Sequence, residues 1–455
     1  MATKPIGPTI EELVSLAKRR GFVFQASDIY GGIGGFWDWG PYGTELAKNL
    51  KDAWWRAFVY KWPNVVGLDS TIIQHPKLWE ASGHVETFVD PMIDCKSCKH
   101  RFRADHIAGR TVESIKEYDK LIQGKKCPNC GARDTFTPAR KFQMMFKTYV
   151  GPVESDASTA YLRPETAGGI FTQFINVAET SRQKIPFGIA QIGKAFRNEI
   201  TPGDFIFRVR EFEQMELEYF IHPKDQDKEY KRWKQICWDW LLTIGLNKQN
   251  LVWHEHTGTE RAHYAAASAD IQYAYPFGTG ELWGIANRTD FDLKSQSEGS
   301  GRDLSYFDQE SGDRYIPNVI EPSLGVGRLL LALLHSAYHE EEVKGEKRVV
   351  LRFKPEIAPV KVAVLPLSKK PELSKVAREV YEQCAGNYRC EYDETQSIGR
   401  RYRRQDEIGT PLCVTVDFDS LKDKSVTIRH RDTLKQVRVK IKDLSAEIEK
   451  SLAKF

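Results

Sequence analysis

Residues 187 to 220 read FGIAQIGKAFRNEITPGDFIFRVREFEQMELEYF. The pattern predicts two long strands joined by a tight turn at Pro202-Gly203-Asp204, because apolar and β-forming residues flank a Pro-Gly-Asp turn signal. Side chains alternate along a strand, so residues two apart share a face. That groups Gln191, Arg197 and Glu199 on the first strand and Phe212, Gln214, Glu216 and Glu218 on the second. Met215, Leu217 and Tyr219 take the other face. A sheet face carrying several carboxylates, an arginine and a flat aromatic is costly to bury without a ligand. It suits a ligand that combines a planar base, an anionic phosphate and a cationic amine.

Composition sets the broad class. The 455 residues are 41% hydrophobic and 28% charged, enough to bury a core and to predict two to four domains. Lys+Arg (66) barely exceeds Asp+Glu (62), so any RNA contact must rest on local basic patches. The amino-terminal stretch MATKPIGPTIEELVSLAKRR lacks the apolar segment of a secretory signal, and no run approaches the length of a membrane span, about 18 apolar residues. Eight cysteines without such a signal point to a reducing, cytoplasmic setting and to metal binding before disulfides.

Around the hairpin the chain divides into a core, an insertion and a carboxy-terminal domain. Leu46, Leu50, Ala53, Trp54, Ala57 and Phe58 recur at helical spacing over residues 44 to 60, and a β-rich run, VVGLDSTII, follows and ends near Pro76. In EPSLGVGRLLLALLHSAY (321–338), Gly325 and Gly327 end a strand, and Leu330, Leu333, Leu334 and Ala337 trace one helical face. Arg328 falls in the first turn of that helix, where free N–H groups and the helix dipole favour a phosphate. There is no G-x-x-x-x-G-K-[ST] run, so a nucleotide is expected on an antiparallel sheet and not on a P-loop. HEEEVKGEKR (339–348) reads as a solvated linker. Beyond it, apolar strands at 361–366, 412–418 and 425–429 alternate with helical stretches, which predicts a separate α/β domain.

Between the first strand and the hairpin lie Cys95-Lys-Ser-Cys98 and Cys127-Pro-Asn-Cys130. Paired C-x₂-C knuckles place four thiolates tetrahedrally around Zn²⁺, and four sulfurs leave no open position, so the metal is expected to be structural. The 28-residue gap between the pairs calls for a small module to fill it. Cys237, Cys384, Cys390 and Cys413 have no such spacing and are expected in cores.

FRNE followed by a turn and FRVREF resembles motif 2 of the class II aminoacyl-tRNA synthetases, the helix with its proline-ended strand resembles motif 1, the dimer-forming element, and EPSLGVGR resembles motif 3. Together with YLRPETAGGIF (161–171) and ELWGIANRTDFDL (281–293), they resemble the homodimeric type of glycyl-tRNA synthetase from about residue 20 to the end. The resemblance implies an α+β catalytic core on an antiparallel sheet (1–90 and 151–345), a zinc-binding insertion (91–150) and an α/β anticodon-binding domain (355–455). It implies a homodimer that uses glycine, ATP with Mg²⁺ and tRNA(Gly), with no membrane partner.

Site roles follow from the same resemblance. Glu165, Glu216 and Glu321 would surround the glycine ammonium, helped by Ser323, with Arg103 as a further substrate contact. Arg197 would hold the α-phosphate beside Asn198, and Phe212 would stack under the adenine while Glu199 accepts from its amino edge. Arg208 or Arg210 and Arg328 would bind the outer phosphates, with Gly325 and Gly327 beside them. Glu281 would ligate Mg²⁺, with Leu282 next to it. Arg197, Glu199 and Arg328 are the catalytic candidates; no general base is assigned. In SIGRRYRRQDEIGTP, Arg400, Arg401, Arg403 and Arg404 with interleaved Tyr402 would hold tRNA, because arginines bind phosphates and an aromatic stacks on an unpaired base.

Two positions depart from the family pattern. Gly168 stands where the family has glutamine, which removes a hydrogen bond near Glu165, and Gly203-Asp204 replace an arginine after ITP that would reach the tRNA acceptor end. A non-catalytic synthetase paralogue acting as an RNA-binding or regulatory subunit is the alternative class. Loss of the motif arginines would favour it, yet Arg197, Glu321 and Arg328 are all present. A class II enzyme for another small amino acid is the second alternative.

Overall fold

Seven strands form the central sheet of the computed structural model, which describes residues 7–112, 114–258, 265–343 and 345–455. The first six residues of the amino-terminal stretch read above lie outside that set. The strands are β1 (Val65–Gly67), β2 (Phe187–Phe196), β3 (Glu211–Ile221), β4 (Leu251–Glu255), β5 (Ala267–Tyr275), β6 (Gly278–Thr289) and β7 (Asn318–Gly325). Their order is β4-β5-β6-β7-β3-β2-β1, antiparallel except for the parallel β1–β2 edge.

One face of the sheet is the main core. Met215, Leu217 and Tyr219 point into it, as the alternation predicts, with residues of α1 (Ile10–Arg19), α2 (Pro41–Trp55), α4 (Gln226–Thr243) and α5 (Val326–Ala337). Trp54, Phe58, Trp233, Trp240 and Trp283 interlock there, Phe58 lying 5.3 Å from Trp54 and 5.5 Å from Trp283 between ring centroids. Each buried aromatic removes about 150–250 Å² from water, a gross gain of roughly 4–6 kcal/mol. The opposite face packs on α3 (Ala167–Thr180), whose Phe174 sits 4.5 Å from Phe220. At its other end that face is polar.

Several local expectations change. The two hairpin strands stop at Phe196 and start at Glu211, so residues 197–210 form a long loop with only a bridge between Gly203 and Arg208 near its tip. The tight turn at Pro202-Gly203-Asp204 is therefore not what joins the strands, and Arg197 and Glu199 lie beyond the strand alternation. The loop is fixed by tertiary bonds: the Arg210 N–H donates to Gly35 O at 2.8 Å, and its guanidinium donates to Gly34 O (2.6 Å) and Glu199 O (2.8 Å). The helix expected over 44–60 is α2 followed by a wider π-helical turn, Arg56–Tyr60. VVGLDSTII divides between β1 and Ile73–Gln74, which pairs with Thr159–Leu162 in a separate sheet.

The supposed solvated linker is a hairpin, β8 (Tyr338–Val343) with β9 (Glu346–Leu351), and Arg348, Val350 and Leu351 are buried. Beyond it, β10 (Val362–Pro366), β11 (Cys390–Tyr392), β12 (Leu412–Val416), β13 (Ser425–His430) and β14 (Gln436–Lys440) form a second sheet in the order β11-β10-β12-β13-β14. With α6 (Pro371–Ala385) it encloses its own core of Val362, Val364, Leu373, Val380, Val414 and Val426. Its last helix to be named, α7 (Ile398–Ile408), packs on the other face of that sheet.

The inserted cysteines sit on a three-stranded sheet (Arg101–Arg103, Val89–Asp94, Arg140–Gln143), and the helices Ala104–Ala108 and Ile115–Leu121 occupy the gap between the two pairs. Cys237, Cys384, Cys390 and Cys413 are buried and unpaired, as expected of core thiols. Among the described residues no helix is long and apolar enough to cross a membrane.

Gly168 is explained by packing. A Cβ there would lie 2.9 Å from Leu78 Cδ2 and 3.0 Å from the Trp79 ring, so a glutamine at the start of α3 would require those two side chains to shift. Gly203 differs: nothing lies within 4 Å of its Cβ position, and a longer side chain is sterically free there.

Candidate active site

Register brings the polar residues of the sheet into rows. Gln191 on β2 pairs with Glu216 on β3, Glu216 with Ser323 on β7, Ser323 with Gly284 on β6, and Gly284 with Asp270 on β5. Glu216 is buried within this row and heavily bonded. It accepts from Thr166 N at 3.0 Å, Gln214 Nε2 at 2.8 Å and Ser323 Oγ at 2.6 Å, and also from Thr166 Oγ1. The pairs Glu216–Ser323 and Tyr219–Ile320 bracket the next row, so Glu218 stands opposite Glu321.

Glu165, just before α3, completes a set of four carboxyls. Its carboxylate lies 3.6 Å from His84 Nε2 and 4.0 Å from Arg288 Nη2. Arg288, on β6, is the cation among them. It is 1% exposed, binds Asp292 through two bonds of 2.7 and 2.8 Å, and turns its remaining amino group on Glu321. Both carboxyl oxygens of Glu218 are buried and have no hydrogen-bond partner among the described residues.

Arg288 does not offset this many buried carboxyls, and burial with mutual repulsion raises three of the four. Burial and the nearby Glu165 push the Glu216 carboxyl up. Burial and the facing Glu321 push Glu218 well above the usual carboxylate range. Burial lifts Glu321 to about 8; Arg288 opposes this, while Glu216 and Glu165 add to it. At Glu165 burial is overcome by His84 and Arg288, which hold it at about 2. The site thus lacks positive charge, and a small cation is the group that fits.

Gln214 and Ser323, both bonded to Glu216, also line the inner end of a cleft with about 650 Å³ of empty space. Arg197, Glu199, Phe207, Arg208, Phe212, Glu281, Gly325, Gly327 and Arg328 line the rest. The Arg197 guanidinium lies 5.4 Å from the Phe212 ring and 5.5 Å from Phe88, and donates to Pro164 O at 3.1 Å. Arg328 lies 4.5 Å from the Phe207 ring and pairs with Glu281 at 3.0 Å, which lowers the Glu281 carboxyl. The mix of aromatic faces with arginines fits a nucleotide.

The structure separates the two loop arginines. Arg210 is occupied by the carbonyls of Gly34 and Glu199, whereas Arg208 lines the cleft and its guanidinium makes no hydrogen bond or ion pair among the described residues. Asn198 anchors the loop through its N–H to Met144 O at 2.7 Å. Leu282 is 1% exposed inside the main core, so only its backbone can meet a ligand. Arg103 is not among the carboxyls of the sheet: it bonds Asp90 and Asp105, each at 2.8 Å, on the insertion's side of the site. Its charge is felt at Asp90 together with those of Glu199 and Arg208, both of which line the cleft.

The four thiols of Cys95, Cys98, Cys127 and Cys130 lie within 4.8 Å of one another, with Cys95–Cys130 at 3.8 Å and Cys98–Cys127 at 3.7 Å. That cluster can hold a metal ion.

The arginines of α7 do not form the open basic patch read from the sequence. Arg401 is 1% exposed and donates to the carbonyls of Pro366, Asp393 and Gln396. Arg404 bonds Asp393 and Gln396, and Arg403 pairs with Glu346 at 3.3 Å. Tyr402 packs on the domain's own sheet and bonds Thr415, so it offers no open face to a base. Arg400 alone of the four is exposed.

Sequence reasoning missed Arg288, His84 and Thr166. The signal for Arg288 was available: it lies in ANRTD, four residues before Asp292, on a strand facing EPS.

Residues 151–337 match the family described as the tRNA synthetase class II core domain (G, H, P, S and T), and residues 361–451 match the anticodon binding domain. A glycine–tRNA ligase of Ruminiclostridium cellulolyticum is 55% identical over 97% of this chain and 98% of its own length. Those of Caldanaerobacter subterraneus subsp. tengcongensis and Streptomyces coelicolor are 54% and 53% identical, over 98% and 95% of this chain and 99% and 96% of theirs. The chain belongs to the glycine–tRNA ligase family. It is an enzyme that forms an aminoacyl-tRNA, with a class II core and a carboxy-terminal anticodon-binding domain.

For this ligase Glu216→Gln is expected to do more than remove a charge. It sets an amide N–H₂ among donors that now converge on a carboxylate. A hydrogen bond to a charged group contributes about 1.5–3 kcal/mol, so glycine KM should rise roughly 10- to 150-fold. Steady-state kinetics should show ATP KM little changed, and unaltered use of limiting glycine would remove Glu216 from the pocket.

Proposed function

We propose that this ligase activates glycine with ATP and transfers it to the 3′-terminal ribose of tRNA(Gly), in the cleft between the 197–210 loop and the start of α5. The observation that carries the reading is the group of buried carboxyls around Arg288 at the inner end of a cleft lined by arginines and aromatic rings. Glycine offers only an ammonium and a carboxylate. The ammonium supplies the missing positive charge among Glu165, Glu216 and Glu321, with Ser323 alongside. Rejection of alanine then rests on rigid walls, because one methyl is worth only about 1–3 kcal/mol in an open apolar pocket.

In the reaction a glycine carboxylate oxygen bonds to the α-phosphorus of ATP and pyrophosphate leaves. Arg197 would meet the α-phosphate, and Phe212 and Glu199 the adenine. Arg208 and Arg328 would meet the outer phosphates, and Glu281 would hold the Mg²⁺ that accompanies ATP. Catalysis is then positioning and stabilisation of developing charge. In the second step the ribose hydroxyl displaces AMP and the ester forms. Arg103 would contact substrate from the insertion's side of the site, and Arg400 is the member of the α7 set available to RNA phosphates.

Three further assignments belong to this reading. The catalytic core spans 1–90 and 151–345, the insertion 91–150 and the anticodon-binding domain 355–455. The active form is a homodimer in a reducing, cytoplasmic compartment. Support for the dimer is the exposed apolar surface on the motif 1 element, where Tyr60 is 76% exposed beside a groove lined by Ala57, Phe58 and Trp62. The third is structural Zn²⁺ on the four cysteines. A tetrahedron of Zn–S bonds near 2.3 Å has S–S edges of about 3.8 Å, and two of the sulfur pairs stand at 3.8 and 3.7 Å.

ATP–pyrophosphate exchange with each of the twenty amino acids tests the substrate assignment, with glycine expected to stand alone. The same assay tests the charge argument. The Glu321 carboxyl rises from an ordinary 4.5 to about 8 in the empty fold. A raised carboxyl favours the protonated fold, so the empty enzyme loses stability as pH climbs between those values. A bound ammonium favours ionised Glu321. Glycine KM should therefore fall as pH rises from about 6 to 8, approaching tenfold per unit. A flat profile would separate Glu321 from the ammonium. For the metal, elemental analysis should find about one zinc per chain, lost in a Cys127→Ser, Cys130→Ser double mutant; zinc-free protein purified without chelator would sink that assignment.

A further inference from the structure

Helix α7 carries a second set of contacts that neither the cleft nor the cysteine cluster uses. Its side chains reach the catalytic core and the β8–β9 hairpin that continues from it at four points. Arg403 pairs with Glu346 of β9, Asp406 with Arg348 of β9, and Glu407 with Arg19 and Arg20 at the end of α1. Gly409, at the end of the helix with φ +80°, lies so close to the core that a Cβ would meet Leu351 O at 2.8 Å.

The centre of this seam is dry. Arg348 and Asp406 are each 1% exposed and bond at 2.8 Å. Arg348 also donates to Arg431 O at 2.6 Å and to Glu341. Asp406 accepts two more bonds, at 2.9 and 3.0 Å, from Arg429 on β13. Each partner keeps a second ion pair of its own, Asp406 with Arg429 and Arg348 with Glu341, so the bond between them joins two networks already fixed on either side and ties the hairpin to the carboxy-terminal sheet in one placement. The hairpin β8–β9 continues directly from α5, the helix that begins with Arg328 in the cleft.

We propose that Arg348 and Asp406 are a positioning pair that fixes the anticodon-binding domain on the catalytic core, so that RNA held by one unit presents its 3′ end to the adenylate on the other. The inference rests on the functional reading above, and two readouts keep the two apart. Glycine-dependent pyrophosphate exchange reports the cleft alone, while tRNA charging reports cleft and seam together.

The test uses the full-length protein with Arg348→Met and, as an independent disturbance of the same seam, Gly409→Ala. Both should keep exchange within about twofold of the unmutated enzyme, and both should raise the KM for tRNA in charging by about tenfold or more, because misplacement by an ångström costs effective concentration steeply. Arg348→Lys retains the charge but not the three-way bonding, and should fall between. Amide hydrogen exchange should quicken in residues 346–351 and 398–408 and stay unchanged in 211–221. A loosened seam with unaltered charging would overturn the proposal, as would exchange falling in step with charging, which would make the pair a support of the core itself. If the unmutated enzyme shows no glycine-dependent exchange, the functional reading fails and takes the proposal with it.

Discussion

Arg288 is the interaction on which the rest of the site depends. A carboxylate moved out of water is stable only with a partner, and Glu165, Glu216, Glu218 and Glu321 crowd one end of the sheet around the buried guanidinium of Arg288, already shared with Asp292. Replacing such a cluster by apolar residues would stabilise the fold, since the desolvation of buried ions commonly exceeds their mutual attraction. The arrangement makes sense as a socket whose missing charge is brought by the substrate. Stability held back in the empty protein is then available to bind an ammonium.

The cleft follows from the same sheet. Pairing of β3 with β7 sets Glu216 beside Ser323, and the strand then runs through Gly325 into α5, so the carboxyl end and the Arg328 end are joined by one short stretch of backbone. The 197–210 loop closes the third side and is itself held by Arg210 on Gly34 and Glu199. Arg210 thereby orders the loop that carries Arg208, which leaves Arg208 as the arginine free to meet a ligand.

Much of this was legible in the sequence, for a physical reason. Strand periodicity is local, so alternation alone put Met215, Leu217 and Tyr219 in the core and Phe212, Gln214, Glu216 and Glu218 on the polar face. Cysteine spacing is equally local, and the four thiols meet. What stayed hidden depends on contacts distant in the chain. The loop between β2 and β3 is held by Gly34 and Gly35, some 160 residues upstream, so no turn rule could find its ends. HEEEVKGEKR looked solvated because its charges are many, yet Arg348 at its end is neutralised by Asp406. Arg288 had a local signal in its spacing from Asp292, but its meaning comes from Glu321 and Glu165, contacts distant in the chain.

The arginines of α7 show the same limit most plainly. A run of guanidiniums separated by an aromatic has one composition and two possible employments. Arginine donors bind phosphate oxygens, but they bind peptide carbonyls and carboxylates equally well, and a small domain with irregular connections has many carbonyls to satisfy. Arg401 closes three such carbonyls from inside the domain, Arg404 holds the Asp393 loop, and Arg403 faces the core. Charge density in the sequence therefore marked a region of dense hydrogen bonding without telling which partner, protein or RNA, receives the bonds. Burial decides it, and here burial turns the helix inward. Arg400, near the start of the helix, is the member of the set that burial leaves open.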